Sequence, residues 1–222
     1  MFEAFYHPKS HFSRMKKVVL FAGLLLGTAA SGNAQTRLGA KGGLGLSKST
    51  GSNSDNFKNY SCLGGGLMVD ITFSDLLSLH PELLFSQKGT QYEVAIGNYT
   101  SATETGKVRL NYLDLPVLLR VKASGFFFEF GPQLGVLLGR STARFLTVPG
   151  GGPLLISTST NTVGARKVDF GYVAGLGYQL PEGFEFGLRY NGGLLDLSDP
   201  SSSDKNYNSV FQVQVGYLIP TK

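Results

Sequence analysis

The chain has 222 residues, enough for one domain, and its 42% hydrophobic against 16% charged residues exclude a disordered chain. Thirty glycines, 16 phenylalanines and 10 tyrosines exclude a helical protein, because glycine at this density weakens helices throughout, and they point to an all-β protein. The formal charge of +5 does not imply nucleic acid: Lys9, Arg14, Lys16 and Lys17 stand against Glu3 alone before residue 35, leaving 16 basic and 14 acidic residues without a Lys/Arg cluster.

The first element reads as an address. Met15-Lys16-Lys17 opens a positive segment, Val18 to Leu26 is an apolar run, and Gly32-Asn33-Ala34 sets small residues ahead of Gln35. These are the three parts of a cleavable secretory signal peptide. The alternative is an anchoring helix, but the apolar run is too short to cross ~30 Å of hydrocarbon. Residues 1–34 are therefore expected to be an upstream extension (1–14, before Met15) and a signal peptide, with residues 35–222 as the mature domain. Cys62 is the only cysteine, which excludes an intramolecular disulfide and a thiolate metal cluster. No cofactor or metal is expected.

From residue 35 the pattern has period two. It predicts strands over 37–47, 61–73, 78–89, 107–122, 125–139, 167–180, 184–193 and 207–219. Each meets the ~9–11 residues that a tilted strand needs to cross a bilayer. In the last strand Phe211, Val213, Val215, Tyr217 and Ile219 share one face, and Gln212, Gln214 and Gly216 the other. In the seventh, Phe184, Phe186, Leu188 and Tyr190 oppose Glu185, Gly187, Arg189 and Asn191. A soluble barrel would turn the bulky faces inward, but the polar faces hold too many glycines and too few charges to wet an exterior. Glycine and isolated charges suit a narrow lumen, and continuous bulky faces suit lipid.

The expected fold is an all-β, eight-stranded antiparallel transmembrane up-and-down β-barrel in the outer membrane. Aromatics should form two girdles: Phe73, Phe126, Tyr178, Phe184 and Tyr217 at one level, Phe85, Phe170, Tyr190 and Phe211 at the other. The links around 74–77, 123–124 and 181–183 are tight, whereas those at 48–60, 90–106, 140–166 and 194–206 are long and rich in Ser, Thr, Asn and Gly. That alternation puts the tight turns and both ends of the domain on the periplasmic side.

Three segments carry a family resemblance. Leu79-His80-Pro81-Glu82-Leu83-Leu84-Phe85-Ser86-Gln87-Lys88-Gly89, then Leu110-Asn111-Tyr112-Leu113-Asp114-Leu115-Pro116-Val117-Leu118-Leu119-Arg120, then Phe130-Gly131-Pro132-Gln133-Leu134-Gly135 resemble, in that order, successive strands of the PorT-like outer-membrane β-barrel proteins of Bacteroidetes. The resemblance implies an eight-stranded barrel of the OmpA/OmpX kind and little about activity. The chain departs from the pattern at its end, running to Pro220-Thr221-Lys222 where such barrels commonly close on an aromatic.

The register turns Lys41, Asp70, Glu82, Lys88, Asp114, Arg120, Glu129, Asp169, Glu185 and Arg189 toward the lumen. Buried charges must be paired, so these ten are expected to form a plugging salt-bridge network; a narrow ion path is the competing reading. Arg120 and Glu129 should meet diagonally across adjacent strands, and Asp70 should lie opposite the His80/Glu82 region. Ser78, His80 and Glu82 share a face, but it is the lumen face, so catalysis on lipid is the third-ranked reading. Gly64-Gly65-Gly66 has no helix after it to hold an anion, and Pro149-Gly150-Gly151-Gly152-Pro153 sits in the longest external link. The function expected is non-enzymatic: a structural, adhesion or accessory role through the external loops. The alternative is a secretion- or transport-associated barrel component. Its partners would be outer-membrane lipid and a protein bound at the loops, with no nucleic acid.

Overall fold

A computed structural model describes residues 35–51, 57–96, 102–162, 166–196 and 205–220. The expected signal peptide lies outside them. Ten antiparallel strands follow in chain order: β1 (Gln35–Gly51), β2 (Phe57–Lys58), β3 (Tyr60–Thr72), β4 (Leu77–Ile96), β5 (Ala102–Ala123), β6 (Phe126–Thr147), β7 (Leu154–Ser159), β8 (Val168–Gln179), β9 (Phe184–Gly193) and β10 (Asn206–Leu218). Eight of them, all except β2 and β7, pair in sequence around a ring that β1 closes against β10. Closure leaves no stave with an unpaired edge in the wall, which is what hydrocarbon demands of a strand-built span.

The turns at one end are short. Ala123 pairs with Phe126 across Ser124 and Gly125, whose φ values of 49° and 86° match the handedness of the flanking strands. Leu180 donates to the Phe184 carbonyl at 2.7 Å, with Gly183 at φ 100°. Both ends of the described barrel, Gln35 and Leu218, lie at this short-turn end, the one expected to face the periplasm.

At the other end the strands run further than expected. β4 continues to Ile96, β5 begins at Ala102, and β6 continues to Thr147, so the links expected at 90–106 and 140–166 are largely strand. Ile96 pairs with Ala102 and Thr103 with Thr147. The expected link 48–60 likewise holds the end of β1 and the whole of β2. With β2 paired to β4 and β7 to β6, the outer end forms a sheet ordered β2-β4-β5-β6-β7. These segments lack the alternation of the wall because they stand above the lipid. Thr, Val, Tyr and Phe still favour strand, but no bilayer forces one face to be apolar.

A bulge marks the join. Tyr112 pairs with Leu137 and Asn111 with Gly139, so Leu138 is the extra residue. From there the lumen face of β6 passes from odd to even numbers, to Arg140, Thr142 and Arg144. One inserted residue exchanges the two faces of a strand.

Candidate functional site

The outward wall is apolar from rim to rim. All nine expected girdle aromatics are exposed on it, from Tyr190 at 37% to Phe73 at 62%. Phe126 stacks edge-on against Tyr178 and Phe184 lies against Tyr217, both at 4.9 Å between ring centroids. Phe128, Phe130 and Phe186 also face outward between those levels, so aromatics cover the wall as well as its rims.

The inward wall carries the charges. Each of the ten residues expected there is buried, with Lys41 the most accessible at 8%. They divide into tiers along the barrel axis. In the middle tier Glu82 accepts two hydrogen bonds from Arg189, at 2.7 and 2.8 Å, and one from Lys41 at 2.8 Å. Arg120 bridges Glu129 and Glu185, each at 2.8 Å, and its guanidinium lies 4.0 Å from the Phe127 ring centroid. Arg189 also donates from Nε to Glu129 at 3.0 Å. The outer tier sets the Lys88 ammonium between Asp169, at 3.0 Å, and Asp114, at 3.3 Å, over the Tyr112 ring. Asn208 donates to Asp169 at 2.8 Å and Ser86 to Asp114.

In the tier nearest the short turns Asp70 accepts from Arg37 and Lys122, both at 2.7 Å. Neither cation was among the ten. Lys122 shares the Arg120 face of β5 and Arg37 the Lys41 face of β1, so parity alone could have found them. They bring the network to six cations and six carboxylates. The balance is neutral, as a low-dielectric interior requires.

Glycines in the ladder make this density of charge feasible. Glu129, Gly175 and Arg189 are successive partners in one row, and a Cβ on Gly175 would stand 3.0 Å from Glu129 Cγ. Lys41, Gly216 and Glu185 form a second such row, where a Cβ on Gly216 would meet Glu185 Cγ at 2.9 Å. Asp114, Gly135 and Asp169 form a third, which Lys88 bridges. In each row the charged chains extend across the space that a side chain would fill.

One expected contact needs correction. Arg120 and Glu129 are direct ladder partners instead of diagonal neighbours, because the two-residue turn pairs Ala123 with Phe126 and sets the register from there. Ser78, His80 and Glu82 do share the lumen face, but not as a nucleophile and its base. His80 Nε2 lies 3.2 Å from Arg120 Nη2 and 3.3 Å from Glu82, and its Nδ1 lies 3.7 Å from Asp70. Nε2 therefore faces the Arg120 guanidinium and the Glu82 carboxylate, and Ser78 is not among its hydrogen-bond partners. Among the described residues no group of His, Cys, Asp and Glu is arranged to hold a metal ion.

A closed ring, a lipid-facing apolar exterior and a charge-filled interior describe a barrel that crosses a membrane. Residues 29–199 match the family profile described as outer membrane protein beta-barrel domain. The chain belongs to that family. It is an outer-membrane protein, and its fold is the eight-stranded antiparallel barrel. Among solved structures it is similar to Ail, the attachment invasion locus protein of Yersinia pestis, at 12% identity and a TM-score of 0.43, covering 83% of this chain and 99% of that one. It is also similar to the outer membrane protein OprG from Pseudomonas aeruginosa, at 12% identity and a TM-score of 0.42, covering 86% and 99%. No curated protein matches the chain significantly.

Proposed function

We propose that this outer-membrane barrel is a closed, non-enzymatic anchor that presents its outer sheet for adhesion or accessory contacts. The observation that carries the reading is the lumen, where six cations and six carboxylates on the barrel strands pair across the bore. Arg120 reaches from β5 to Glu185 on β9, and Arg189 from β9 to Glu82 on β4. An ion crossing this bore would have to displace those contacts. The sheet β2-β4-β5-β6-β7 is the part of the molecule free to meet a partner, and exposed binding surfaces concentrate on such segments.

Planar-bilayer recording tests closure. Wild type and Glu129→Ala should both show conductance near zero; resolved conductance steps in wild type would overturn the closed reading. Attachment of cells displaying the protein tests presentation. Replacing residues 148–162 by a short Gly/Ser linker should reduce attachment while heat-modifiable gel migration persists. Undiminished attachment would move the contact off this sheet.

The second reading is a secretion- or transport-associated component. It requires a stable partner. Stoichiometric co-purification from membranes would favour it over the self-sufficient anchor.

A further inference from the structure

The outward faces of β4, β5 and β6 change chemistry row by row above the expected outer girdle. The row Phe85–Leu113–Val136 is apolar, and Gln87–Asn111–Gly139 above it is not. Next come Gly89–Arg109–Ser141 and then Gln91–Lys107–Ala143, with Lys58 of β2 paired beside Gln91. Four residues separate Leu113 from Arg109, roughly 13 Å along the strand and about 10 Å along the membrane normal at a barrel tilt near 40°. That is the level of lipid headgroups, and long basic chains can lean back toward it.

Both cations are accessible, and the Lys107 ammonium lies over the Phe145 ring at 5.5 Å from its centroid. Lys107 and Arg109 are exposed, and no carboxylate lies within ion-pair distance of either among the described residues. Gly89, Ser141 and Ala143 flank them with small side chains. Lys58, by contrast, is paired with Glu93. The opposite rim differs. Its turns carry Asp75 and Glu182, while Arg37 and Lys122 point inward to Asp70. Positive charge with no carboxylate partner among the described residues is therefore presented beside the lipid-facing wall at the outer end.

We propose that Lys107 and Arg109 bind the phosphate groups of anionic lipid in the outer leaflet. Two cations two residues apart on one strand face lie roughly 7 Å apart, within reach of one phosphorylated headgroup. The Arg fork suits bidentate contact with phosphate and the Lys ammonium adds a point charge. The surface is continuous with the apolar wall below it, so a lipid whose chains pack on Phe85 and Leu113 brings its headgroup to these residues.

The test uses the full chain refolded in phosphatidylcholine nanodiscs doped with a bisphosphorylated diglucosamine lipid. Native mass spectrometry then reads which lipid stays bound. Wild type should retain the phosphorylated lipid over phosphatidylcholine, and K107Q/R109Q should lose that preference by roughly thirtyfold. R144Q, on the lumen-side face, should keep it. Equal retention by wild type and the double variant, or an equal loss in R144Q, would overturn the proposal. Should the double variant fail to show heat-modifiable migration, R109K serves. It keeps the charge and loses the fork, so it should weaken retention severalfold; undiminished retention there would also overturn it.

Discussion

Gly175 stands between Glu129 and Arg189 in one ladder row, and its missing side chain lets the two charges meet across β8. Gly175→Val would drive a branched chain into the Glu129 stem and should destabilise the barrel by about 1–3 kcal/mol, the usual cost of overpacking. Urea titration of barrels folded into vesicles measures this; an unchanged midpoint would mean that the row has room to spare. Lys88 makes the opposite case, because it separates Asp114 from Asp169. Lys88→Met removes the shared cation and leaves two buried carboxylates facing one another, so a loss of about 3–5 kcal/mol is expected in the same titration. A loss below about 1 kcal/mol would mean that water or protonation compensates both carboxylates.

The strands obey two environments along one length. On β10, Phe211, Val213, Val215 and Tyr217 face outward, and Val213 lies between the two expected girdle levels. Val213→Arg should cost about 2–4 kcal/mol and Ser209→Arg, above Phe211, no more than about 1 kcal/mol. Comparable costs at both positions would show that the lipid boundary is misplaced on this strand. On β6 the bulge at Leu138 separates a wall segment from an outer segment with exchanged faces. Alternation was readable in the wall because a lipid face and a lumen face select opposite chemistry. Above the bulge the chain reads as loop, since Arg140-Ser141-Thr142-Ala143-Arg144 has no apolar face to betray its pairing.

At the scale of the molecule, the ring and the lumen network require one another. Closure brings Arg120 opposite Glu185 and Arg189 opposite Glu82, residues 65 and 107 positions apart in the chain. Pairing between positions so distant forms late and as a unit, so the folded barrel should show one cooperative unfolding transition. The outer sheet rests mainly on local hairpin pairs, β4 with β5 and β5 with β6. Hydrogen exchange above residues 89, 109 and 141 should therefore be faster than in the wall; uniform protection would show that the sheet is held as firmly as the barrel.

The sequence by itself determined the number of staves, which face of each meets lipid and which ten charges turn inward. All of that follows from a period of two and from the need to keep isolated charge out of hydrocarbon. It also held, unread, the parity that adds Arg37 and Lys122. Only the tertiary structure decided who pairs with whom. The register of the Ser124-Gly125 turn makes Arg120 and Glu129 direct partners, glycines let charges reach past β8 and β10, and ring closure joins β5 to β9 across the bore. The outer sheet, too, was settled by pairing alone, because strands free of the bilayer are held by backbone hydrogen bonds that leave no periodic trace in side-chain chemistry.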